Sequence, residues 1–144
     1  MTLPTAKEIN PYDDLDGRAA CRNFLGKSLD EAEALFRENP THYQEDLMWM
    51  GPVAFRFYVP ALIHYIQSEA AAGDSDIINC FAGLLGFRLE HEAGELVPIA
   101  EQLASICRYI IQHYDRFDVT PDIYGDLRPR FQTLQQAFSE IERR

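Results

Sequence analysis

Asp46-Leu-Met-Trp-Met-Gly-Pro-Val-Ala-Phe-Arg-Phe-Tyr-Val-Pro-Ala-Leu-Ile-His-Tyr-Ile66 is the densest apolar run of the chain. It holds the only Trp, two of the three Met and four further aromatic residues, with one Arg embedded. As a membrane span it fails, because Arg56 near its centre would cost about 2.5–3.5 kcal/mol on insertion scales. Pro52, Pro60 and His64 add to that cost. The run therefore reads as core, with the other segments packed around it. Gly51-Pro52 breaks the chain, and Pro52 suits the first turn of a following helix, where a missing N–H is tolerated. That helix is expected over about residues 53–68. Pro60 falls inside it and demands either a kink in one helix or a junction of two short ones; the kinked helix is preferred.

Upstream, residues 1–13 carry Pro4 and Pro11 without a clear period and read as an extended lead-in. Asp13 and Asp14 sit where acidic residues favour a helix start, and Gly26 where glycine favours a stop, so a helix is expected over about 15–24. Ser28-Leu-Asp-Glu31 spells a capping box opening a helix over about 29–38, with Leu29, Ala32, Leu35 and Phe36 inward. Asn39-Pro40 stops it. Thr41-His-Tyr-Gln44 spells a second box, opening a helix that turns Leu47 and Met48 inward.

Downstream, residues 70–76 form a loop rich in small and capping residues. Ile77, Ile78, Phe81, Leu84, Leu85 and Leu89 then mark one helical face. Gly83 and Gly86 lie between them, and their presence predicts close approach of another helix. A long helix is expected over 96–117, on Ile99, Leu103, Ile106, Ile110, Tyr114 and Phe117. Residues 119–125 read as a loop. The last helix, about 126–142, places Leu127, Phe131, Leu134, Phe138 and Ile141 on one stripe. No stretch alternates at period two and no hairpin signal occurs. The fold class expected is all-α: a single compact domain, 1–144, of six or seven helices around a Pro-kinked central helix.

A chain of 144 residues fits one domain, and 47% apolar with 25% charged residues is ordinary globular usage. The net charge of -10 argues against nucleic-acid binding, which needs a concentrated basic surface. It suits a basic partner instead. The first ten residues contain no basic run leading into an apolar stretch, so no secretory signal is expected. Cys21, Cys80 and Cys107 are odd in number, far apart and set in apolar patterns, which points to reduced thiols and a cytoplasmic location.

Searching for chemistry yields little. His91-Glu-Ala-Gly-Glu95 lacks the second His of a zinc-protease motif. His42 and Asp46 share an i, i+4 face, but two residues are too few for a metal. No phosphate loop or nucleophile elbow is present. No catalytic residue, no metal site and no cofactor are expected. Two features stand above this background. Residues 69–102 carry seven carboxylates against Arg88 alone, making Asp74, Asp76, Glu90, Glu92 and Glu95 candidates for binding a basic protein. Arg56, in so apolar a run, must reach the surface or pair with a carboxylate. With Trp49, Tyr58 and His64 it forms a candidate pocket or interface beside the Pro60 kink.

The runs at 24–36 and 46–61, with Gly-Pro followed by Phe-Arg-Phe-Tyr-Val-Pro-Ala, resemble a family of small uncharacterised bacterial proteins. The likeness covers the first half of the chain. It implies a compact bacterial cytoplasmic domain and transfers no functional residue. The expected function is a non-catalytic interaction module, in its most concrete form an immunity or antitoxin-like inhibitor of a basic partner. The alternatives are a small-ligand protein or enzyme using the Pro60 pocket, and a housekeeping domain. Neither a nucleic-acid nor a membrane partner is expected, and the chain is expected to be a monomer or weak homodimer.

Overall fold

The computed structural model describes residues 2–142; Met1, in the expected lead-in, and residues 143–144 lie outside it. The chain is all-α, with no strand among the described residues. It clusters into two compact units, residues 1–70 and 71–144.

The first unit holds α1 (Ala6–Ile9), α2 (Leu15–Phe24), α3 (Leu29–Glu38), α4 (Pro40–Trp49) and α5 (Pro52–Gln67). The lead-in is not wholly extended. Thr5 Oγ1 accepts the Glu8 amide at 3.2 Å and the Glu8 carboxylate accepts the Thr5 amide at 2.8 Å, a reciprocal cap that lets one short turn form. The box at Ser28 and Glu31 forms as expected, whereas the one expected at Thr41 and Gln44 does not. Asn39 caps α4 instead, its Oδ1 accepting the His42 amide at 3.3 Å, with Pro40 in the first helical position. Asn followed by Pro is the stronger start signal, since Pro fits the first turn and Asn leads the cap ranking. Thr41 then lies inside the helix, and Gln44 Nε2 donates to its carbonyl at 3.2 Å.

Helix α5 runs unbroken through Pro60 and packs against α1, α3 and α4. Ala54, Phe55, Tyr58, Val59, Leu62 and Ile66 have no solvent exposure; each large side chain so buried contributes about 1.5–3 kcal/mol. Phe24 ties the helices together, with its ring centre 5.7 Å from Phe36, 5.1 Å from Tyr58 and 6.4 Å from Tyr43. Gly51 joins α4 to α5 and donates its amide to the Ile9 carbonyl at 3.0 Å, covering the end of α1. A side chain there would lie 2.3 Å from the Glu8 carbonyl oxygen. Glycine is required here by that close approach of two backbones.

The second unit holds α6 (Ser75–Glu92), a 3₁₀ segment (Ala93–Ile99), α7 (Ala100–Gln112), a 3₁₀ turn (Tyr114–Phe117), α8 (Pro121–Tyr124) and α9 (Arg128–Glu142). The helix expected over 96–117 is thus shorter at both ends. Pro98 offers no amide to a regular helical ladder, and the segment holding it winds as 3₁₀. At the other end the Arg116 carbonyl accepts the Gly73 amide at 2.9 Å, and Asp118 turns the chain through the left-handed region at φ 51°. The loop expected over 119–125 contains the single turn α8, started by Pro121 and stopped by Gly125 at φ 67°. Helices α7 and α9 pack on each other. Leu103, Ile106, Cys107 and Ile110 are buried on the first, and Phe131, Leu134, Phe138 and Ile141 on the second.

Gly83 and Gly86 do not mark close helix approach. A Cβ at Gly83 would meet no atom within 4 Å, and one at Gly86 would only touch Arg130 Nη2 at 3.8 Å. Their cost to α6 is therefore uncompensated by packing. Gly83→Ala is expected to raise the unfolding free energy by about 1 kcal/mol, read as a higher urea midpoint at unchanged slope. A lower midpoint would mean that the glycine serves a contact after all.

Candidate functional site

The four residues expected beside Pro60 do not converge there. Tyr58 is fully buried, and its hydroxyl lies 2.8 Å from the carbonyl oxygens of both Phe24 and Lys27. These belong to the C-terminal end of α2 and the turn after it, where helical carbonyls lack partners. Burial pushes the Tyr58 hydroxyl above the ordinary phenol range. Its hydroxyl holds α5 to the end of α2. Arg56 is half-buried and engaged in interactions of its own. Only His64 lines the groove of about 240 Å³ beside Pro60, with Leu29, Asp30, Glu33 and Ala61. Its Nδ1 pairs with Glu33, which also accepts Arg37 Nη2 at 2.6 Å. Glu33 is thus shared between two basic side chains on the rim.

Trp49 lies at a different place. It is 38% exposed and lines a cleft of about 280 Å³ between α2 and α4. Helix α2 contributes Asp16, Ala19, Arg22 and Asn23; helix α4 contributes His42, Glu45, Asp46 and Trp49. Both sets follow helical spacing, so each helix turns one polar face to the cleft. Asp46 is the unusual member at 8% exposure. Its Oδ2 accepts from Asn23 Nδ2 at 2.7 Å, and no cation stands within ion-pair distance among the described residues. Desolvation raises its carboxyl above the ordinary range, opposed by the Asn23 hydrogen bond and the charges of His42 and Arg22. The signal legible in sequence was the shared face of His42 and Asp46, which Trp49 extends by one turn.

The five acidic candidates also divide. Asp74 caps α6, its Oδ1 accepting the Ile77 amide at 3.2 Å. Asp76 is exposed and accepts from the Tyr124 hydroxyl, a bond that raises the Tyr124 pKa. Glu90 and Glu95 are exposed. Glu92 is not a solvated carboxylate: it pairs with Arg88, itself only 3% exposed, one turn earlier on α6. A buried Arg needs a counter-charge, and Glu92 supplies one.

A third cleft, of about 480 Å³, is lined by His113, Tyr114, Arg116 and Arg128 among others. Arg128 there is already held by both oxygens of Asp126 at 2.9 Å, and lies 5.1 Å from the Tyr114 ring centre. Among the described residues no three His, Cys, Asp or Glu side chains gather as a metal ion would require. No helix of the described residues is long and apolar enough to cross a membrane. No family model, curated protein or solved structure matches the chain.

Proposed function

We propose that the chain is a non-catalytic interaction module for a basic protein, most concretely an inhibitor of the immunity or antitoxin kind. The observation that carries this reading is the fate of Arg88. It is the only Lys or Arg between residues 69 and 102, and it is withdrawn from solvent and committed to Glu92. Asp76, Glu90, Glu95 and Glu101 are exposed, and the stretch itself contributes no exposed lysine or arginine. Such a surface steers a basic partner and accelerates encounter. Glu92 drops out of the binding set because its charge is spent inside the unit. A cytoplasmic setting goes with this reading, since no disulfide forms among the described residues and thiols are kept reduced there.

The test uses the partner that co-purifies with the chain, sought first in the product of a neighbouring gene. Asp76→Lys, Glu90→Lys and Glu95→Lys together are expected to weaken that complex at least about tenfold and to flatten its salt dependence. Unchanged affinity and salt dependence would overturn the acidic-surface reading. Glu92 is left intact, so the variant keeps its buried pair.

A further inference from the structure

We propose that the α2–α4 cleft of the first unit is a receptor site for one cationic group on an aliphatic stem, an ammonium or guanidinium. Asp46 would sit at its base and Trp49 against its stem. Two independent observations carry this. The first is that Asp46 closes no ion pair among the described residues. Asp46 as a residue is only 8% exposed, a setting costly to a carboxylate unless it is paired, and one amide hydrogen bond from Asn23 does not supply a counter-charge. Arg22 and His42 are near enough to act on Asp46 through space, yet neither closes an ion pair with it, although both line the same cleft. The second is the half-exposed indole of Trp49 on the same wall. Indole is the strongest aromatic partner for a cation and covers the methylene stem of a lysine or arginine side chain well.

Size and charge set the ligand class. At about 280 Å³ the cleft falls just below the range for small-molecule pockets, about 300–1,000 Å³. It accommodates a side chain or a small amine, and excludes a nucleotide or cofactor. Its wall carries Asp16, Glu45 and Asp46 against Arg22, so anions are disfavoured. The shared chemistry is a single positive head group, from either a free amine or a basic residue of a protein. The site draws on nothing in residues 69–102, so charge reversal there and substitution here test separate claims.

Trp49 is the only Trp, which makes its fluorescence a direct report on the cleft. The probes are butylamine and agmatine for free amines, and acetyl-Gly-Lys-Gly-amide for a peptide-borne side chain. The same peptide acetylated on the lysine amine is the neutral control. Saturable change in the millimolar range is expected with the cationic probes and none with the control. Asp46→Asn, which keeps the side-chain shape, is expected to weaken binding by about thirtyfold. Asp16→Asn with Glu45→Gln, both exposed positions that spare the fold, is expected to weaken it by about fivefold. Tighter binding of the peptide than of butylamine assigns the site to a protein partner; equal binding assigns it to free amines. The proposal is overturned if no probe saturates, if the acetylated peptide binds as well, or if the Asp16/Glu45 variant binds like the parent.

Discussion

Glu92→Ala is expected to lower the unfolding free energy by about 3 kcal/mol, the low end of the range for breaking a buried ion pair. The reason lies in the asymmetry of the pair. The Arg88 side chain is 4% exposed and that of Glu92 21% exposed. Removing the carboxylate takes the counter-charge, one turn on, from a guanidinium held out of solvent, while removing both charges does not. The double change Arg88→Met with Glu92→Leu is therefore expected to recover most of the loss, since apolar residues of similar volume can replace a buried pair. Denaturant melts of the parent, the single variant and the double variant decide the matter. A loss below about 1 kcal/mol for Glu92→Ala would place the pair with exposed i, i+4 bridges and return Glu92 to the candidate binding surface.

Gly51→Ala is expected to cost about 3 kcal/mol, the upper end for inserting a methyl group into packed structure. The backbone at this position has φ -62° and ψ 161°, which alanine adopts without strain. The cost is wholly steric. The added carbon would stand 2.3 Å from the Glu8 carbonyl oxygen and 3.0 Å from the Pro11 ring, and a backbone carbonyl cannot swing away as a side chain can. Relief would require α1 to move off the α4–α5 junction, breaking the bond from the Gly51 amide to the Ile9 carbonyl. Amide exchange should show it: the Gly51 N–H would exchange faster in a variant that survives by displacing α1. A variant as stable as the parent would mean that α1 is not seated as described. The pairing with Gly83→Ala is instructive, because the same substitution changes sign between the two sites for reasons visible in the space around each glycine.

The fold was legible wherever short-range chemistry dominates. The limits of α2 and α3 follow from Asp14, Ser28 and Glu31, whose side chains answer amides three residues away. The α9 stripe follows from Phe131, Leu134, Phe138 and Ile141 at helical spacing, with Leu127 just before the helix, all buried. Reading failed where a distant partner decides. The turn at 114–117 depends on the Gly73 amide taking a carbonyl more than forty residues on. Asn39 outcompetes Thr41 because Pro40 fixes the first helical turn directly after it. The candidate pocket beside Pro60 failed for a rotational reason. Tyr58 and Trp49 belong to different helices with different inward faces, so closeness in sequence did not bring them to one wall. The α2–α4 cleft needed Asp16, Arg22 and Asn23, residues of no note until α4 is laid beside them.

Burial of Cys107 within the α7 face has a consequence for the chemistry of sulfur in this chain. With its thiol pushed up to about 12 by desolvation, the thiolate fraction at neutral pH is about 10⁻⁵, against a few per cent for an ordinary free thiol. Oxidants and alkylating reagents attack the thiolate, so Cys107 is chemically silent while the second unit stays closed. Its modification therefore keeps time with opening of that unit, in the way a slow clock ticks only when its case is lifted.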